Sequence, residues 1–439
     1  MRYSYEEIKG KNYVKIGSFE EFADEASTDE NELSENRDRF KKIIEPWLSA
    51  ALQTDHLSML VGAGLTTAVC QIASVTSSSM GTAEFGEFSE KINSYADNSA
   101  QKMGRGSANI EDQIRTAFSL LQGLEINGDK NYTTLSDSID TVLQNFANSI
   151  LSSETNLKNA LNSNSSDAKR AVNVLQSFLL TFASRTATRE RTHIFTTNYD
   201  RIIEYGCDMA GIKVLDRFWG KIAPRFEENP STIDFYYHTP DAKNEFRYAE
   251  GVVRYSKIHG SLDWYEDQGI VYKDSLRFGA QEMNLPSGSN YRDHLMIYPN
   301  SMKSVETAFY PYAELFRDFS SAICRPNSTL FTYGYGFGDT HINKIIKEML
   351  SVPSTHLVII AYGADERLNA FLQQVNMAQV TLLIGSEFAS LENLVNYYLP
   401  KAAIDTLTST ASKLIDSRKS FEEAEISPKV QKGGDSQDE

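Results

Sequence analysis

Four short stretches of this chain place amide, carboxylate, imidazole and bare-backbone groups where they could act on a ligand. The first, Gly62-Ala63-Gly64-Leu65-Thr66, follows the apolar run His56–Val61. Small residues at a strand-to-helix turn let the backbone approach a diphosphate, and the first N–H groups of the helix favour its charge. The stretch lacks the third glycine of GxGxxG and the lysine of a P-loop, so a purely structural turn would also account for it. The second, Thr196-Thr197-Asn198-Tyr199-Asp200, follows another apolar run. Asparagine offers a donor and an acceptor in one side chain, and aspartate offers an acceptor, which suits holding hydroxyls and orienting a water. The competing role for Asn198 and Asp200 is an Asx cap on a helix starting at Arg201.

The third stretch, Lys257-Ile258-His259-Gly260-Ser261-Leu262-Asp263-Trp264, puts an imidazole at the end of a strand-like run. Histidine titrates near neutral pH and can accept a proton from water or a hydroxyl, although a lone histidine also serves as a hydrogen-bonded structural residue. The fourth runs from Thr332 to Asn343, with Gly334, Gly336 and Gly338 at alternate places and Asp339 positioned as a helix N-cap. Glycines so spaced let a ligand lie against the backbone. Three such strand-end junctions in one sheet point to a nucleotide crevice.

The elements that must carry these stretches follow from hydropathy. Apolar runs at 56–61, 192–197, 253–258, 329–333, 357–361 and 380–384 read as strands, several alternating with helical stretches such as 339–349. That alternation predicts an α/β fold, a Rossmann-like parallel sheet flanked by helices. Between about 74 and 189 the apolar spacing turns helical, as in Ile139, Val142, Leu143, Phe146 and Ile150, which predicts a helical insertion forming a smaller subdomain. It is a candidate lid over the site. From about 218 to 290 aromatic residues crowd a stretch with few helical patterns, and an irregular or antiparallel excursion is expected. The organisation expected is an acidic N-terminal arm over 1–45, the main domain over 46–400, and a C-terminal helix with a disordered tail over 401–439.

Composition narrows the partners. Forty-three basic and fifty-nine acidic residues give a net charge of −16, which does not favour a nonspecific grip on nucleic-acid phosphates. No stretch approaches the roughly 18 apolar residues of a membrane span, and the amino terminus lacks the apolar core of a signal peptide, so a cytoplasmic protein is expected. Cys70, Cys207 and Cys324 are far apart and form no CxxC pair, which argues against a zinc ribbon or a disulfide framework.

Taken in order, GAGLT, TTNYD, KIHGS and GYGFGDTHIN resemble the motif series of the sirtuin-like (SIR2-like) NADase domains of bacterial antiphage defence proteins. The resemblance spans roughly 56–384. It implies an NAD⁺ site in which Asn198 and His259 carry cleavage of the nicotinamide–ribose bond. It further implies that Gly62, Ala63, Gly64, Thr66, Thr197, Asp200, Gly334, Gly336 and Asp339 contact the dinucleotide, with His341 in contact or just behind. Asn300 and Lys303 lie in a further recurrent segment to which no role is given. The four-cysteine zinc module of deacylating sirtuins has no counterpart here, so no zinc is expected and hydrolysis is favoured over lysine deacylation. The resemblance also implies NAD⁺ depletion as an abortive response, a homo-oligomer, and a possible HerA-type ATPase partner. The alternative is a subunit of an ATPase-containing defence complex that binds NAD or ADP-ribose without cutting it.

Overall fold

The computed structural model describes residues 3–23, 30–78, 81–102, 107–186, 188–227, 229, 233–238, 246–283, 285, 291 and 310–401. The chain begins with α1 (Tyr5–Ile8), β1 (Asn12–Ile16), β2 (Phe19–Ala23), α2 (Glu30–Leu52), β3 (His56–Val61) and α3 (Gly64–Ile72). Helices α4 (Ser89–Lys102), α5 (Ile110–Ile126), α6 (Tyr132–Asn162) and α7 (Ser166–Ala183) come next. Then come β4 (His193–Thr196), α8 (Ile202–Ala210), β5 (Lys213–Leu215), β6 (Phe218–Trp219), β7 (Arg225–Phe226), β8 (Tyr236–His238) and β9 (Phe246–Tyr248). After β10 (Val252–Lys257), β11 (Trp264–Asp267) and β12 (Ile270–Lys273) come α9 (Tyr312–Ile323), β13 (Ser328–Tyr333), α10 (Thr340–Met349), β14 (His356–Ala361), α11 (Glu366–Leu372) and β15 (Val380–Ile384), followed by short helical turns over Ser386–Tyr398.

Nine strands form one sheet in the order β2-β1-β15-β14-β13-β3-β4-β10-β5. All neighbours from β15 to β5 are parallel, whereas β1 runs antiparallel to β15 and β2. Side chains alternate across a strand, so each central strand supplies two cores. Met59, Val61, Phe331, Tyr333, Val358 and Ile360 join the core under α2, α3, α7 and α8. Leu60, Leu330, Leu357 and Ile359 join the opposite core with Phe319 of α9, Ile346 of α10 and Phe371 of α11. Burial on both faces is why these strands read as continuous apolar runs rather than alternating ones.

The segment read as an acidic arm behaves differently in its first half. Residues 12–16 and 19–23 form a hairpin that extends the sheet beyond β15. Tyr13, Val14 and Ile16 are buried, and Lys15 Nζ donates to the carbonyls of Met377 (2.8 Å) and Val380 (3.0 Å). Acid counting hid this because the apolar residues that drive the pairing lie just before Glu20 and just after Glu21.

Helices α4, α5 and α6 pack around a core of their own that includes Phe85, Ile114, Ile139, Phe146 and Leu151. That core also takes in Tyr199 and Leu262 from the strand-end loops, so the subdomain is fused to the sheet by shared burial. A buried ion pair reinforces the junction. Glu154 of α6, fully buried, accepts from Arg201 through Nη2 (2.6 Å), Nε (3.2 Å) and the backbone N–H (2.8 Å). Burial pushes the Glu154 carboxyl above the usual carboxylate range, and the Arg201 guanidinium draws it back. Swinging the helical insertion away as a lid would break this pair and strand two charges, at a cost of about 3–5 kcal/mol. The pair ties α6 of the insertion to the start of α8.

In the 218–290 region, β11-β12-β7-β6 form a small antiparallel sheet over Phe218, Phe226, Trp264, Val271 and Leu315, and β8 pairs with β9. Asn300, Lys303 and residues 402–439 lie outside the described residues. Among the described residues, no helix is long and apolar enough to cross a membrane.

Candidate active site

Strand register brings the four stretches to one edge. Val61 pairs with Thr196 and with Tyr333, and Thr196 pairs with Lys257, so four strands end in one row. The residues that follow, beginning with Gly62, Thr197, Ile258 and Gly334, therefore emerge side by side at the carboxyl end of the sheet, where open α/β folds bind ligands. They border a cleft of about 320 Å³. Its walls include Asn198, His259, Asp200 and Thr197, together with Gly62, Ala63 and Thr66 of the first loop and Gly334, Gly336 and Asp339 of the fourth. Of the residues expected at the site, Gly64 and His341 do not line it.

Asn198 is 6% exposed and is held from one side only. Its Nδ2 donates to the Gly62 carbonyl (3.1 Å) and to Thr66 Oγ1 (3.1 Å). A carbonyl oxygen can only accept, which fixes the amide's orientation and turns Oδ1 the other way. That oxygen is buried and has no hydrogen-bond partner within the protein. An orphaned buried acceptor on a cleft wall is costly unless something in the cleft donates to it, such as a hydroxyl or a water. Thr66 in turn donates to Asp200 Oδ2 (2.7 Å), and Asp200 Oδ1 accepts from the Ile202 N–H (3.1 Å) at the start of α8. Asp200 thus acts as the helix cap that its position allowed, and through Thr66 it also orients Asn198.

His259 is set by a carboxylate. Its Nε2 lies 3.0 Å from Asp339 Oδ2, while Asp339 Oδ1 accepts from the N–H groups of His341 (2.8 Å) and Ile342 (3.2 Å). An ionised carboxylate only accepts, so the neutral ring carries its proton on Nε2 and leaves Nδ1 free to take one. Asp339 therefore both caps α10 and orients the imidazole. His341 contributes its backbone to this arrangement.

The glycines of the first and fourth loops pack against one another. A Cβ on Gly62 would lie 2.4 Å from the Gly334 carbonyl oxygen, and one on Gly64 would lie 2.6 Å from the Gly334 Cα. Gly334 itself has φ +61°, and its Cβ would meet the Gly64 Cα at 2.6 Å. The two loops touch backbone to backbone, sealed by Gly62 N–H to Tyr333 O (3.0 Å) and Gly64 N–H to Gly334 O (3.1 Å). Glycine at 62, 64 and 334 is required by this seam. Gly64 faces a neighbouring cavity of about 580 Å³ on the other side of the seam. Gly336 differs, since a Cβ there would meet nothing within 4 Å.

The opposite wall comes from the helical insertion. Asn109 caps α5, accepting from the Asp112 N–H (3.0 Å), and Ser107, Glu111 and Ile150 join it at the cleft. Glu111 Oε1 accepts from Tyr199 Oη at 2.9 Å, tying this wall to the Asn198 loop. Burial first, and then the Glu111 charge, push the Tyr199 phenol well above its ordinary range, so it stays protonated and cannot act as a base. Behind the loop, buried Lys257 Nζ donates to the carbonyls of Tyr199 (3.2 Å) and Asp200, and to Glu204 Oε1 (3.0 Å). Sequence reading had assigned no role to Lys257, Tyr199, Glu111 or Arg367, which also lines the cleft. Lys257 and Tyr199 stood inside quoted motifs. Asn109-x-x-Asp112 marked a helix start but not what that start faces.

The cysteines stand apart from this chemistry. Cys70, Cys207 and Cys324 are free, and burial pushes the Cys70 thiol up to about 12. Among the described residues, no group of three His, Cys, Asp or Glu side chains is placed to hold a metal ion.

Residues 192–379 match the family model described as a SIR2-like domain. The matched span contains the Asn198, His259 and Asp339 stretches, while the Gly62–Thr66 loop precedes it. The fold unites them, because β3 lies between β13 and β4 in the sheet. No curated protein matches the chain. A SIR2-like domain associates this cleft with NAD-related chemistry.

Proposed function

We propose that the chain is an NAD⁺ glycohydrolase, with Asn198 and His259 as its catalytic residues. The observation that carries this reading is that one cleft is lined by both side chains, with Asn198 presenting an unpaired buried acceptor and His259 held by Asp339. In NAD⁺ hydrolysis the nicotinamide–ribose bond breaks with its electron pair going to the pyridinium ring, which leaves neutral, while water supplies the hydroxyl that replaces it. The leaving group needs no proton, so the protein's task is to place a nucleophile and receive one proton. Asn198 Oδ1 accepts from the water or a ribose hydroxyl, its amide locked by Gly62 and Thr66. His259 takes the proton on Nδ1, and Asp339 stabilises the resulting imidazolium, a contribution typically worth about 10²–10⁴-fold. Thr197, Asp200, Gly62, Ala63, Gly334 and Gly336 shape the floor on which the dinucleotide lies.

The resemblance of the four motifs extends the proposal to NAD⁺ depletion in abortive antiphage defence, by a cytoplasmic homo-oligomer that can act with a HerA-type ATPase. Nicotinamide release from NAD⁺ tests the core of it. Wild type should release nicotinamide, and Asn198→Ala should lose at least about 10²-fold, the cost of removing one preorganised polar group from a reacting centre. Equal release by a folded Asn198→Ala protein would sink the assignment.

A further inference from the structure

We propose that Lys257 is a positioning residue that sets the Asn198 loop against the strand carrying His259. The inference rests on the glycohydrolase reading of the cleft and adds a residue to it. Lys257 stands on β10 in the same alternation as Val253 and Tyr255, both of which join the apolar core beneath α7 and α8. The pattern therefore asks for an apolar side chain at 257. A lysine stands there instead and is 2% exposed. Burying an ammonium is costly unless its charge and its donors are met, so its presence needs a cause beyond packing.

The surroundings supply one. An ammonium has three N–H donors and no acceptor. Those of Lys257 meet the carbonyls of Tyr199 (3.2 Å) and Asp200, and Glu204 Oε1 (3.0 Å). With three acceptors around it, the ammonium is held in place rather than poised for covalent chemistry. Glu204 lies on α8 and answers the charge, while the two carbonyls belong to the turn that follows Asn198. Backbone bonds already join the two loops, from Ile258 N–H to Thr196 O (2.8 Å) and from Leu262 N–H to Tyr199 O (3.2 Å). The ammonium adds a hold at Asp200, and this hold reaches the amide by two further bonds. Asp200 Oδ2 accepts from Thr66 Oγ1 (2.7 Å), whose oxygen accepts from Asn198 Nδ2 (3.1 Å). On the other side, Lys257 precedes His259 by two residues along the chain. One buried side chain thus spans the two candidate catalytic groups and fixes their spacing. Without it the Asn198 amide is free to shift relative to His259, and a displacement of about 1 Å at a reacting centre costs about 10²-fold in rate.

The test measures steady-state nicotinamide release from NAD⁺ in wild type, Lys257→Met, Lys257→Arg, Asn198→Ala and the double variant Lys257→Met with Asn198→Ala. Rates are taken per folded molecule, counted by urea unfolding followed by circular dichroism. Lys257→Met keeps a side chain of similar length without the donors. Its kcat should fall by about 10- to 100-fold while KM stays within about threefold, the pattern of an interaction felt in the transition state. Lys257→Arg keeps the charge but cannot place three donors at one point, so it should fold and lie between wild type and Lys257→Met. The double variant decides between positioning and mere support of the fold. If Lys257 acts through Asn198, its removal should cost less than about threefold once Asn198 is already alanine. An unchanged kcat per folded molecule in both Lys257 variants, a loss confined to KM, or losses that multiply in the double variant would overturn the proposal. Should Lys257→Met fail to fold, Lys257→Arg combined with Asn198→Ala makes the same comparison. A wild type that releases no nicotinamide would overturn the glycohydrolase reading and this proposal together, whereas an active wild type with multiplying losses would overturn this one alone.

Discussion

The two walls of the cleft are built by different means. The sheet wall gathers Asn198, His259 and Asp339 at the ends of parallel strands, with Asn198 and His259 each held by a hydrogen bond to another loop of the same edge. The helical wall brings Asn109, Glu111 and Ile150 from an insertion held to the sheet by a shared apolar core and by Glu154–Arg201. In the first, strand register sets geometry to within a hydrogen bond. In the second, geometry depends on side-chain packing between units that are far apart in sequence. The proposed chemistry sits on the wall that register controls, and enclosure is left to the wall that packing controls.

Three substitutions test that division. The largest effect on folding is expected at the junction: Glu154→Ala should destabilise by about 3–5 kcal/mol in urea unfolding, because buried Arg201 would lose its carboxylate partner. A loss below 1 kcal/mol would mean that the helical wall is held chiefly by its apolar contacts. Gly334→Ala should come next. With φ +61° and a Cβ 2.6 Å from the Gly64 Cα, it should cost about 1–3 kcal/mol of backbone strain and part the glycine seam. Its thermal midpoint should fall together with nicotinamide release, whereas unchanged stability would show that the seam yields easily. Tyr199→Phe should have the smallest effect, about 1–2 kcal/mol, by removing the donor to Glu111. Nicotinamide release per folded molecule should change little. A loss as large as that of His259→Ala would give the phenol a part in the chemistry.

Much of the sheet wall was legible in the sequence. Runs such as Leu357–Ala361, and Val380–Ile384 with Thr381 as its one polar residue, are largely apolar because both faces of a central strand are buried, so they identify themselves as strands without reference to any partner. The residues that follow a strand must lie at its end, which made Asn198 and His259 visible as candidates for one crevice. The hairpin at 12–23 was harder to read, since its pairing to β15 joins segments more than 350 residues apart and its acids suggested a solvated arm.

The primary structure determined which side chains could meet at a strand edge, because hydropathy fixes strands locally and a strand's end fixes where its following loop begins. Only the tertiary structure decided what each of those groups does. It spent three glycines on a seam between loops, gave Asp200 and Asp339 the double task of capping a helix and orienting a neighbour, and left Asn198 Oδ1 unpaired. It also closed the cleft with Glu111 and Arg367, residues with no signature of their own. The physical reason is that a hydrogen-bond partner or a steric contact is a relation between distant segments, and it exists only after the cores on both faces of the sheet have brought them together.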